Sequence, residues 1–67
     1  MTALDSGDRL SAGKVRALIL RQLPPELLQD QDWVFKRVVT FIRNNNRAPS
    51  TAEATQIVQE YVADVAS

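Results

Sequence analysis

Residues 49–65 read PSTAEATQIVQEYVADV, and the reading of this stretch decides the fold. Ser50 and Glu53 stand at the spacing S-x-x-E, in which the hydroxyl accepts from the amide of the third helical residue while the Glu side chain reaches back to the cap. Behind that box Ala54, Ile57, Val58, Tyr61, Val62 and Val65 recur at intervals of three and four, one apolar stripe at the helical period. Gln56, Gln59, Glu60 and Asp64 face away from it. A capped amphipathic helix of this kind must lay its stripe on other elements, which are sought upstream.

Immediately before it, Asn44, Asn45 and Asn46 tolerate left-handed backbone, and Pro49 prevents a helix from continuing, so a turn is expected there. The preceding helix is expected from about Trp33 to Asn44. On a wheel at about 100° per residue, Phe41, Val34, Val38, Ile42, Phe35 and Val39 cover roughly 160°. That arc is too wide for one neighbour and marks a central helix. The opposite arc collects Lys36, Thr40, Arg43 and Arg47, flanked by Trp33, Asn44 and Arg37, as a solvated basic stripe. Asp30 or Asp32 is expected to cap this helix. The D-x-D pair they form lacks the Gly and the terminal Glu of a calcium loop.

Further upstream, Pro25 suits a first helical position and Glu26 favours the positive end of a short helix carrying Leu27 and Leu28. Whether Pro25 to Asn44 is one bent helix or two stays open. Pro24 ends a first helix, in which Ser11 is the N-cap and Val15, Leu18, Ile19 and Leu23 share a face, with Gly13 weakening its opening turn. Met1 to Leu10 has no period and is expected to be a flexible tail, with Leu4 and Leu10 its only candidate anchors. Residues 11–67 then form a single helical domain. No segment alternates as a strand would. The fold class is all-α, a small bundle of three main helices with room for a short additional one after Pro25.

At 67 residues a chain is close to the lower size limit for folding alone, and disulfides, a metal or association are the usual reinforcements. There is no Cys and no His, so disulfides and the commonest zinc sites are ruled out and association remains. General acid or base chemistry has neither a His nor an evident pocket, and Ser11 and Ser50 read as caps rather than nucleophiles. The glycines, Gly7 and Gly13, follow no strand and form no phosphate loop. No enzymatic activity, cofactor, metal or small-molecule substrate is expected. Charges at Asp5, Asp8, Arg9, Lys14 and Arg16 interrupt any signal peptide, and no run approaches the ~20 apolar residues of a membrane span. No membrane partner is expected, and the cytoplasm is the default compartment.

Eight basic residues balance eight acidic ones, so no net field draws the chain to nucleic acid or membrane. Lys14, Arg16, Arg21, Lys36, Arg37, Arg43 and Arg47 nevertheless outnumber Glu26, Asp30 and Asp32, while Glu53, Glu60 and Asp64 follow Arg47. A basic middle and an acidic end are expected. Trp33 beside Lys36 and Arg37 has the composition of an interface anchor. The plainer expectation is that it folds back over Leu27, Leu28 or Pro25 to close the core. Tyr61 is expected in the core or at a dimer interface, its hydroxyl at the rim.

Val34 and Phe35 through Phe41, Ile42 and Arg43, then Ala48, Pro49, Ser50, Thr51, Ala52 and Glu53, resemble the opening of winged-helix domains of the LexA repressor type. The resemblance implies a DNA-binding helix-turn-helix. Such domains need a second turn and then a recognition helix, whereas this sequence reads as helix from Thr51 to about Val65, so the motif is incomplete. The leading expectation is a small interaction or regulatory module presenting a helical surface to another protein or to itself as a homodimer. Leu20, Leu28 and Val39 are the apolar residues expected at the edge of the core. The alternative is a nucleic-acid-binding regulator. Candidate binding residues are Trp33, Lys36, Arg37, Arg43 and Arg47.

Overall fold

A computed structural model describes residues 9–67 and resolves them into α1 (Ala12–Gln22), a 3-10 helix η1 (Pro25–Asp30), α2 (Gln31–Asn45) and α3 (Thr51–Ala66). The described chain is all-α: its sole extended pairing is an isolated antiparallel bridge between Arg9 and Ser50. Among the described residues, no helix is long and apolar enough to cross a membrane.

The Ser11 hydroxyl starts α1 by accepting from the Lys14 amide at 3.3 Å. Val15, Leu18 and Ile19 then fall on the buried face, and Leu23 follows them into the core. The helix stops where Pro24 demands it: Leu23 is extended, with ψ 138°. Pro25 opens η1 without losing a bond, because its absent N–H would have had no partner.

The open question about Pro25 to Asn44 resolves as two helices of different pitch joined end to end, since η1 closes at Asp30 and α2 opens at Gln31. That junction overturns the expected cap. The amide of Gln31 donates to the Leu28 carbonyl, and Asp30 makes no side-chain cap bond. With η1 supplying acceptors at the start of α2, the two carboxylates are released for tertiary contacts. Asp30 accepts from the Tyr61 hydroxyl at 2.8 Å, and Asp32 from Arg16 at 3.0 Å.

Asn46 ends α2 in left-handed geometry, at φ 54° and ψ 36°, the role its side chain type favours. At α3 the capping box is complete. The Ser50 hydroxyl accepts from the Glu53 amide at 3.2 Å, and Glu53 accepts from the Ser50 amide at 2.9 Å. Arg47 adds a fork onto the same carboxylate, two bonds of 2.7 Å each. Pro49 between them is fully buried, and its carbonyl accepts from the Leu10 amide at 2.9 Å. Leu10 packs against the core, as its candidacy for an anchor required. Leu4 and the rest of the proposed tail lie outside the described residues.

Each of the three α-helices touches both others, and η1 packs on α2. The helices form a triangle, and with η1 added the most neighbours meet α2, in line with the expectation that more than one element covers α2. Its wide apolar arc is explained by two neighbours meeting it from different sides. Val34 and Val38 are buried, Phe35, Val39 and Phe41 are partly covered, and Ile42 is exposed. The core is aliphatic: Val15, Leu18, Ile19, Leu23, Val34, Val38, Ala54 and Val58. Leu20 and Leu28 are left at the surface as expected, joined by Val65, whereas Val39 is half-covered.

A Cβ added at Gly13 would meet no atom within 4 Å. Gly13→Ala is therefore expected to stabilise the fold by about 0.5–1 kcal/mol, chiefly by narrowing the unfolded ensemble, read as a higher urea midpoint. The Arg47 fork, followed by the Ser50 amide, holds the Glu53 carboxyl at about 2, below its ordinary 4.5. A group lowered in this way contributes stability that is present above its unfolded value and lost as the pH falls toward the folded one. The urea midpoint should accordingly drop between about pH 5 and 2, and Glu53→Gln should lower it at neutral pH while flattening that drop.

Candidate functional site

Trp33 occupies the first turn of α2 and is 61% exposed. It does not fold back over Leu27, Leu28 or Pro25 as expected. The core it was to close is closed by other residues: Leu10, Leu27 and Phe35 pack against it. Trp33 instead lies under its own helical neighbour, with the Lys36 ammonium 4.8 Å from the ring centre. A cation over an indole face is favourable by about 0.5–1 kcal/mol at an exposed site.

Trp33, Lys36, Arg37 and Thr40 of α2 face Tyr61 of α3 and Asp30 of η1 across an open cleft of about 340 Å³. Its far wall is built by long-range bonds. The Tyr61 hydroxyl donates to Asp30, and the Arg37 guanidinium lies 5.0 Å from the Tyr61 ring while donating to Asp64 at 3.1 Å. The hydrogen bond to Asp30 holds the Tyr61 hydroxyl above the usual phenol range, and partial burial adds to it. The Thr40 hydroxyl donates to the Lys36 carbonyl at 3.1 Å and lies along the floor. Two aromatic walls with cations at the rim can hold an apolar or aromatic side chain flanked by negative charge. Among the described residues, no group of three or more acidic side chains is placed to hold a metal ion.

Three of the five residues picked from the sequence thus meet at the cleft: Trp33, Lys36 and Arg37. Arg43 is exposed on the same face of α2, two turns beyond Lys36, and pairs with no carboxylate among the described residues. Arg47 does not belong to the stripe. The left-handed Asn46 turns the backbone off the helix axis, so the helical phase cannot be extended past it. Arg47 lies across Phe41, 5.2 Å from the ring centre, and grips Glu53.

The expected separation of a basic middle from an acidic end is also corrected. Folding brings the two together, through Arg37–Asp64 and Arg47–Glu53. The contributions of Asp30 and Tyr61 to the cleft were absent from the sequence reading. The one available signal was the expectation that Tyr61 carries its hydroxyl at the rim. A second opening, between α3 and the end of α1, is lined by Gln22, Pro24, Thr55, Val62 and Ala66 among others and carries no charged group.

Tyr61→Phe should lower the urea midpoint at neutral pH by removing the bond that ties α3 to η1. Because the Tyr61 hydroxyl is raised, its contribution is present below the unfolded phenol value of ~10 and disappears as the pH climbs through the folded one. The native chain is therefore expected to lose midpoint as the pH rises beyond about 10, and the variant to lose less of it.

No protein-family model, no curated protein and no solved structure matches this chain.

Proposed function

We propose that this chain is a small non-enzymatic interaction module that works in the cytoplasm, regulating by presenting the outward face of α2 to another protein or to a second copy of itself. The observation that carries the reading is the exposure of Trp33 at the mouth of a cleft that also gathers Lys36, Arg37 and Tyr61. Tryptophan and arginine dominate the few residues that supply most of an interface's binding energy. A chain with so small an aliphatic core gains most by burying its largest side chain at the centre of such a patch. The reading needs neither cofactor nor metal, and no catalytic group.

Lys36 and Arg43, without carboxylate partners among the described residues, favour one competing reading, a nucleic-acid-binding regulator that uses them on phosphates. Two observations weigh against it. Arg37 and Arg47, the other cations of the expected stripe, are held by Asp64 and Glu53. α3 also runs unbroken from Thr51 to Ala66, without the second turn that a helix-turn-helix needs.

A pull-down from native-host extract separates the readings. The wild-type chain should retain a protein partner, or a second copy of itself, that Trp33→Ala weakens by at least about thirtyfold, the loss of an anchor worth about 2 kcal/mol. Undiminished capture by Trp33→Ala would remove the reading. A mobility shift with DNA or RNA at low salt that fades steeply as salt rises would install the nucleic-acid reading in its place.

A further inference from the structure

The chain holds four aromatic side chains, Trp33, Phe35, Phe41 and Tyr61, and each has a cation over its ring. Arg16 lies 4.5 Å from the centre of Phe35, Arg37 5.0 Å from Tyr61, Arg47 5.2 Å from Phe41, and Lys36 4.8 Å from Trp33. Three of these pairs are completed by a carboxylate: Asp32 on Arg16, Asp64 on Arg37 and Glu53 on Arg47. The fourth is not. Lys36 meets no carboxylate among the described residues, and Trp33 beneath it is the most exposed of the four rings.

Resting on the interaction reading above, we infer that an acidic helix of a partner protein completes this fourth assembly. One of its carboxylates lies on Lys36. A second, two helical turns along, lies on Arg43, and an apolar side chain one turn from the first, on the side away from Arg43, enters the cleft against Trp33 and Tyr61. The spacing follows from α2 itself. Lys36 and Arg43 are seven residues apart on one face, a rise of about 10 Å, which is also the spacing of carboxylates seven residues apart on a helix laid alongside. A helix in a groove offers its side chains at that repeat, and an apolar residue one turn outside the charged pair falls at the level of Trp33. The cleft selects against a polyanion. Asp30 lines it and Asp64 flanks it through Arg37, so phosphates following one another along a backbone would meet like charge, whereas a helix with two placed carboxylates avoids it.

Trp33 is the single tryptophan of the chain, so its fluorescence reports on this cleft alone. The full chain is titrated with a blocked Ala-rich helical peptide carrying two Glu two turns apart and a Leu one turn outside the pair on the same face. The controls are the same peptide with Lys in place of each Glu, and a short single-stranded oligonucleotide. The acidic peptide should shift Trp33 emission to shorter wavelength with saturation, and the shift should weaken with salt. Lys36→Gln and Arg43→Gln should each reduce affinity two- to fivefold, the size of one exposed ion pair, and the double variant about four- to twenty-five-fold, with far-ultraviolet spectra unchanged throughout.

The inference is overturned if the acidic peptide leaves the emission unmoved, if the Lys peptide binds as well, or if the double variant binds undiminished. Tighter binding of the oligonucleotide overturns it in favour of phosphate. These failures touch the partner's chemistry. The interaction reading fails separately, when Trp33→Ala captures its partner undiminished.

Discussion

One carboxylate, that of Glu53, holds the turn on which the packing of the bundle depends. It accepts from the Ser50 amide and from both arms of Arg47, so it fixes at once where α3 begins and how the chain enters from α2. Between those contacts Pro49 is buried, and its carbonyl takes the Leu10 amide, which brings the start of the described chain against the same turn. With the turn fixed, the stripe of α3 faces α1 and α2 together. Ala54 and Val58 then close on Ile19, Val34 and Val38, all of them almost wholly buried. Were the turn to loosen, the register of α3 on a core of eight aliphatic residues would rest on the Tyr61–Asp30, Arg37–Asp64 and Gln22–Thr55 contacts. A charge-assisted, bidentate pair at a helix start is the kind of exposed contact that does orient structure, because its geometry leaves few alternatives.

The four aromatic rings follow a rule of their own. None is fully buried, and each is covered on one face by a cation. The arginines use their planar heads to lie on a ring while a carboxylate holds the edge, something the compact ammonium of lysine does less well. These assemblies join elements: Arg16 and Asp32 link α1 to α2, and Arg37 and Asp64 link α2 to α3. Three of the eight cations are used in this way. On α2 the cations that meet no carboxylate among the described residues are Lys36 and Arg43.

Much of this fold is legible in the residues taken one element at a time, because the signals concerned are local. The S-x-x-E box, the stripe from Ala54 to Val65, Ser11 before α1 and Pro24 after it each act over a few residues, and each stands where its spacing places it. What was not legible depends on contacts across the sequence. Asp30 and Asp32 look like caps until Tyr61, 31 residues away, and Arg16, 16 residues away, compete for them. Arg47 looks like part of a helical stripe until Asn46 breaks the phase. Trp33 looks like core filling until Leu10, Leu27 and Phe35 fill the space from other directions. The candidate site was therefore half readable. Its α2 residues share a face that the helical period reveals, but its opposite wall, Tyr61 and Asp30, exists only in three dimensions.

The exclusion of Trp33 from the core and the small size of that core are two consequences of one constraint. A triangle of short helices encloses a narrow space, and here four valines, two leucines, one isoleucine and one alanine fill it. An indole placed among them would force the helices apart, at a cost of about 1–3 kcal/mol for overpacking. Left outside, the same ring exposes apolar area that water disfavours, and Lys36 shields only one face of it. The two penalties are removed together only when something outside the bundle covers Trp33. In a chain near the lower size limit for independent folding, the proposed interaction would therefore couple binding to stability through a single side chain.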